Sequence, residues 1–100
     1  MSNSPDYWIS SIRMNQARTH IEQLKIHKNT GNSAGDAEVH ARQIIVNSIK
    51  QNITFTTIYA ANGQWNAGKP VYVIPINGIE FLKTVADNKL VDNLDNLPEF

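Results

Sequence analysis

The dipeptide Asn77-Gly78 constrains this chain more than any other feature of its sequence. It stands between two short apolar runs, residues 71–76 and 79–85. A connection of two residues needs positive φ at both positions, which Asn-Gly adopts readily, so the runs fold back on each other as a hairpin. The register follows by counting outward: Ile76 opposite Ile79, Ile74 opposite Phe81, and Tyr72 opposite Lys83. Pro75 has no N–H to give a ladder, which makes its strand an edge near that point.

Alternation predicts three more strands. Residues 7–14 place Tyr7, Ile9, Ser11 and Arg13 on one face, with Trp8, Ser10, Ile12 and Met14 on the other. Residues 19–28 alternate again after a polar turn, so these two segments pair as a hairpin. Residues 53–60 form the third strand, rich in β-branched and aromatic side chains. Asn62-Gly63 opens a turn, and residues 62–69 read as a loop around Trp65. A tryptophan placed there either folds over the core or meets a ligand.

One helix is expected. The stretch 29–35 is a loop by composition, and Asp36 follows as a plausible N-cap with Glu38 in the first turn. A helix over 37–50 gathers Ala37, Ala41, Ile44, Ile45, Ser48 and Ile49 into one apolar stripe. Lys50 suits the last turn, and Asn52 can close the end. Val39 and Val46 fall off the stripe, and are either isolated exposed valines or a second contact surface against a partner subunit. In the tail, 86–100, a turn at Asp87-Asn88 leads through Leu90 and Val91 to a capped helical turn over 92–98. Leu94 and Leu97 dock it on the sheet, and Pro98 stops it.

The expected architecture is therefore α+β, with an antiparallel sheet in the order β-β-α-β-β-β. One helix packs on a face and the C-terminal turn docks beside it. Residues 1–6 are expected to be a flexible N-terminus and 7–100 a single domain. A length of 100 residues leaves room for one thin core, which favours a homodimer.

Composition narrows the function. The net charge is zero and the pI about 6.8, which argues against a double-stranded nucleic-acid footprint. Bases dominate the first half and acids the last stretch, so the two ends are expected to meet and neutralise each other. Cysteine is absent, which removes thiol nucleophiles and Cys-based zinc sites and suits a reducing cytoplasm. The first residues carry no basic or apolar signal, and no apolar run approaches the roughly 20 residues that span a bilayer. A cytoplasmic location is expected, with no membrane partner.

Catalytic patterns are missing. His20 and His27 are an odd number of residues apart, so on one strand they face opposite ways, and His40 has Asp36 four residues before it. The first arrangement makes no metal site, the second suits a cap or an ion pair as well as a ligand, and no metal site is expected. No G-x-S-x-G or phosphate-binding glycine loop occurs, and Asp92 and Asp95 read as turn formers. No catalytic residue and no cofactor are expected. Exposed aromatics near arginine could stack single-stranded nucleic acid, though with less positive charge than such proteins carry.

The run Phe81-Leu82-Lys83-Thr84, then Asp87, Asp92-Asn93-Leu94 and Leu97-Pro98, resembles the closing signature of a small bacterial and phage family. That family is known as domain of unknown function 3892. The opening Tyr7-Trp8-Ile9-Ser10 with Arg13 resembles its start. The resemblance implies a small α+β fold in a bacterial or phage setting, and no activity. Phage-derived proteins of this size often neutralise a host component, which favours binding.

The function expected is a non-catalytic binding module sequestering an anionic nucleotide-like molecule. Arg13, Arg18 and Lys83 would meet the anion, Tyr7 or Trp65 would stack on a ring, and Thr84 or Asn93 would hydrogen-bond. This places Arg13 and Lys83 on neighbouring first and last strands. A pairing of Arg13 with Asp92 competes with that site. The alternatives are a protein–protein or inhibitor module, such as a phage counter-defence protein, and an enzyme of unknown class.

Overall fold

Strands β1 (Tyr7–Met14) and β2 (Ile21–Asn29) pair antiparallel, with Ile9 opposite Ile26 and Ile12 opposite Leu24. These four are buried, and full burial of such a side chain is worth about 1.5–3 kcal/mol. The ladder carries an extra residue between Ile9 and Ser11, a bulge at Ser10. The computed structural model describes residues 5–31, 34–84, 92, 94 and 97–100. Asp87-Asn88, Leu90-Val91 and most of the expected turn over 92–98 lie outside the described residues.

The segment expected to open the helix is a strand. β3 (Ala34–Ala41) pairs antiparallel with β2, Lys25 opposite Val39 and Leu24 opposite His40. The free edge of β2 satisfies its backbone groups, and that outweighs a helix-compatible composition. Asp36, Glu38 and His40 therefore belong to β3, and Asp36 caps nothing. Helix α1 (Arg42–Lys50) starts at an N-cap, Ala41, that makes no side-chain hydrogen bond. Its buried residues are Ile45 and Val46, while Ile44 is exposed. Val46 is thus a core residue and not part of a second contact surface; Val39 stays exposed on β3. Lys50 does sit in the last turn, and Asn52, at φ 71°, closes the end as expected.

From α1 the chain crosses to β4 (Phe55–Ala61), which pairs parallel to β1 with Tyr7 opposite Phe55 and Ile9 opposite Thr57. The sheet is consequently mixed and not wholly antiparallel. Asn62 and Gly63, at φ 55° and 76°, turn the chain into β5 (Gln64–Pro70). That stretch was expected to be a loop, but it runs antiparallel to β4, and Trp65 lies on a strand opposite Ala60. Gly68 is required there, since a Cβ would overlap Thr57 Oγ1. The strand order is β3-β2-β1-β4-β5.

β6 (Tyr72–Ile76) and β7 (Ile79–Lys83) form a separate two-stranded sheet. The Asn77-Gly78 register holds at all three expected pairs, with φ 54° and 81° at the turn. Among the described residues, two sheets and one helix in the order β-β-β-α-β-β-β-β replace the simpler order expected. The core lies between α1 and the face bearing Ile9, Leu24, Ile26 and Phe55, with Val71, Leu82 and Leu94 added from the C-terminal part. Among the described residues no helix is long and apolar enough to cross a membrane.

Candidate functional site

Three clefts meet where β1 and β4 begin. Alternation buries Ile9 and turns Trp8 to the opposite face, beside His27 of β2 and Thr56 of β4. Pro5 is buried, and Asp6 ties the entry of β1 to Thr54: its carboxylate accepts from the Thr54 N–H at 2.9 Å. The largest cleft, about 920 Å³, is lined by Trp8, Phe55, Val71 and Tyr72 with Asn52, Thr54 and Thr56 as polar points. Among the described residues that line it there is no lysine, arginine or carboxylate. A second cleft of about 590 Å³ shares Pro5 and Ile53 with the first and adds Asp6, Tyr7 and Lys28. A third, about 140 Å³, shares Trp8 and Ala67 and is walled by Trp65.

Trp65 is 48% exposed, yet its ring centroid lies 5.6 Å from that of His27. β5 and β2 are three steps apart in the sheet, about 14 Å if it were flat. The sheet therefore curls, concave on the face bearing Trp8. Inside the curl, Ser10 Oγ and His27 Nε2 are 2.7 Å apart, and His27 Nδ1 lies 2.8 Å from the Gly35 carbonyl. A carbonyl only accepts, so the neutral imidazole carries its proton on Nδ1 and accepts the Ser10 hydroxyl at Nε2. These are the atoms of a nucleophile and its base. Both side chains are nevertheless buried and line none of the three clefts. The chain of bonds ties β1, β2 and β3 together at the bulge.

Of the residues expected to hold a ligand, Tyr7 and Trp65 border these clefts. Tyr7 stacks on Phe55 with centroids 5.4 Å apart. Arg13 stands at the far end of β1, where its Nε donates to the Phe100 carbonyl at 3.0 Å. Arg18 is joined to Glu99. Lys83 is fully buried, its Nζ 5.6 Å from the Phe81 ring centroid. Thr84 is buried as well, and its Oγ1 has no hydrogen-bond partner among the described residues. Asn93 lies outside the described residues. The last strand, β7, is not beside β1: it belongs to the other sheet. The strand adjacency that was to unite Arg13 with Lys83 is overturned, because the free edge of β1 is taken by β4 and by residues 98–100.

The residue that sequence reasoning missed is Arg42. Its Nε and Nη2 donate to Asp92 at 2.7 and 3.0 Å, while the N–H groups of Ile21 and Leu82 reach the same carboxylate, each at 2.8 Å. Arg42 Nη2 also bonds the Glu80 carbonyl. Asp92 thus joins β2, α1, β7 and the tail, and its arginine partner is Arg42 where Arg13 had been weighed. The signal was available only once the helix began at residue 42. Among the described residues no cluster of three histidines or acids could hold a metal ion. His20 lies against Phe81 and His40 is 3.3 Å from Glu38.

Residues 8–98 match the family described as Protein of unknown function (DUF3892). The chain belongs to that family. No curated protein and no solved structure matches it. The match to DUF3892 spans β1 through the Asp92 anchor to Pro98, so it takes in the groove residues Trp8, Thr54, Thr56 and Tyr72.

Proposed function

We propose that this DUF3892 protein is a non-catalytic binding module whose ligand lies in the groove beside Trp8. The observation that carries this reading is the groove's lining: three aromatic rings with Asn52, Thr54 and Thr56 as directional polar groups. That combination suits a planar, uncharged ring such as a nucleobase, held by stacking and a few hydrogen bonds. The nucleotide-like ligand suggested by the sequence is kept with a different cation. Lys28, in the adjoining cleft, replaces Arg13 and Lys83 as the group nearest an acidic substituent. Asp6 lines that same cleft, so its net charge is zero and the ring supplies most of the affinity.

The test is a titration of nucleosides and their monophosphates, followed by thermal shift and tryptophan fluorescence. Tyr72→Ala is expected to weaken binding about tenfold or more, the scale of one lost stacking contact. Lys28→Ala is expected to weaken the monophosphates and leave the nucleosides unchanged. If no compound shifts the melting point, or if a hit survives Tyr72→Ala unaltered, the groove is not the binding site.

A further inference from the structure

Pairing of β1 with β4 stops at Ile9, next to the bulge. Beyond it, the same edge of β1 is covered by residues 98–100. The Ile12 N–H donates to the Pro98 carbonyl and the Phe100 N–H donates to the Ile12 carbonyl, both at 3.0 Å, a short parallel bridge centred on Glu99. Around this backbone slot stand three cations. Arg18 clasps Glu99 through both guanidinium ends, at 3.0 and 2.5 Å. The Phe100 ring lies under Arg13 and Lys25, 5.0 and 4.9 Å from its centroid. Arg18 holds this position with φ 58°, a conformation that costs a side-chain-bearing residue and recurs at ligand clamps.

We propose that this slot is a recognition site for an extended segment of a partner protein carrying a glutamate followed by an aromatic residue, and that residues 98–100 occupy it in cis. An open strand edge supplies sequence-independent hydrogen bonds, and flanking pockets supply specificity. Here the bidentate Arg18 reads the carboxylate and the Arg13–Lys25 pair reads the ring. The residue before the acid gives only its carbonyl, which is why proline is tolerated there. Every side-chain group in the slot is solvent-facing or half-buried, so the resident segment can be displaced without opening the core. The site lies at the opposite end of β1 from the Trp8 groove and does not depend on it.

The experiment uses the full chain with Glu99→Ala and Phe100→Ala, which empties the side-chain pockets and keeps the backbone. The probe is a fluorescein-labelled amidated peptide, Asn-Leu-Pro-Glu-Phe-Gly, followed by fluorescence anisotropy. The emptied chain is expected to bind it, and the unaltered chain at least about tenfold more weakly, because its own segment competes at high effective concentration. Adding Arg18→Glu to the emptied chain should abolish that binding and confer binding of the peptide with lysine in place of glutamate. The proposal is overturned if the emptied chain ignores the peptide, if the unaltered chain binds it equally well, or if Arg18→Glu leaves the preference unchanged. Should the double substitution melt the fold, Glu99→Ala alone carries the same comparison of two peptides.

Discussion

Two arginine–carboxylate pairs fasten the C-terminal stretch to the rest of the molecule, and they differ in nearly everything but chemistry. In Arg42–Asp92 the side chains are 17% and 0% exposed; in Arg18–Glu99 they are 64% and 43% exposed. Asp92 receives four donors, two of them backbone N–H groups that would otherwise be orphaned in the interior. Glu99 receives two, both from a guanidinium that water would solvate equally well. A buried pair gives up hydration and repays it only when every lone pair is met, whereas an exposed pair gains and loses little. The first is therefore a fastening of the fold and the second a contact that can exchange.

The sharpest way to break this comparison is Asp92→Ala, which leaves Arg42 and the N–H groups of Ile21 and Leu82 without an acceptor. Urea unfolding should show a loss of about 3–5 kcal/mol. Asp92→Asn, nearly the same shape, should recover only part of it, because its amide presents hydrogens to donors. A loss no larger than that of an exposed substitution would remove the distinction. Leu94→Ala comes next, at about 2–4 kcal/mol, since that leucine is buried in the core two residues along the same segment. Were truncation of Leu94 silent, the anchoring would be electrostatic alone.

The buried Ser10–His27 pair sits between the extremes. Ser10→Ala strips His27 Nε2 of its donor and should cost about 1–3 kcal/mol by the same measurement, with the bulge and the packing of Trp65 on His27 the first to loosen. The smallest effect belongs to Glu99. The hydrogen bonds from Arg18, opposed by desolvation and aided to a smaller extent by its charge, hold the Glu99 carboxyl below the usual carboxylate range. A depressed folded-state value means a contribution present above the unfolded carboxylate range and lost as pH falls through the folded one. Melting curves of the unaltered chain and Glu99→Gln should thus differ slightly near neutrality and converge in acid, and the difference should shrink in salt. A gap that persists in acid would show that Glu99 acts through something other than its charge.

The candidate groove was only partly legible in advance. Tyr7 and Trp65 were singled out as aromatic, and they line the two clefts that adjoin it and not the groove itself. Arg13 and Lys83 were singled out as cationic, and they stand elsewhere, one bonded to Phe100 and one buried. Thr54, Thr56 and Tyr72 carry no motif, and Trp8 stood out only as part of the family-like opening of the chain. They become neighbours because β4 pairs parallel to β1 and the chain at Pro70 and Val71 turns back across the end of the sheet.

What the sequence determined by itself is whatever rests on adjacent residues. The Asn77-Gly78 hairpin and its register, the first hairpin, the strand expected over 53–60 and found over Phe55–Ala61, the closing of the helix at Asn52 and the membership of DUF3892 all follow from patterns a few residues long. Tertiary structure decided which strand β2 accepts on its free edge, and so made residues 34–41 a strand. It decided that Gln64–Pro70 is an edge strand, that Val46 faces inward, and that Asp92 takes Arg42 as its partner. Val46 is turned inward by apolar packing in the core, and the other three share one physical reason. A backbone hydrogen bond or buried charge is satisfied by whatever the fold brings beside it, and residues 34–41 carry no local sign that β2 waits for them.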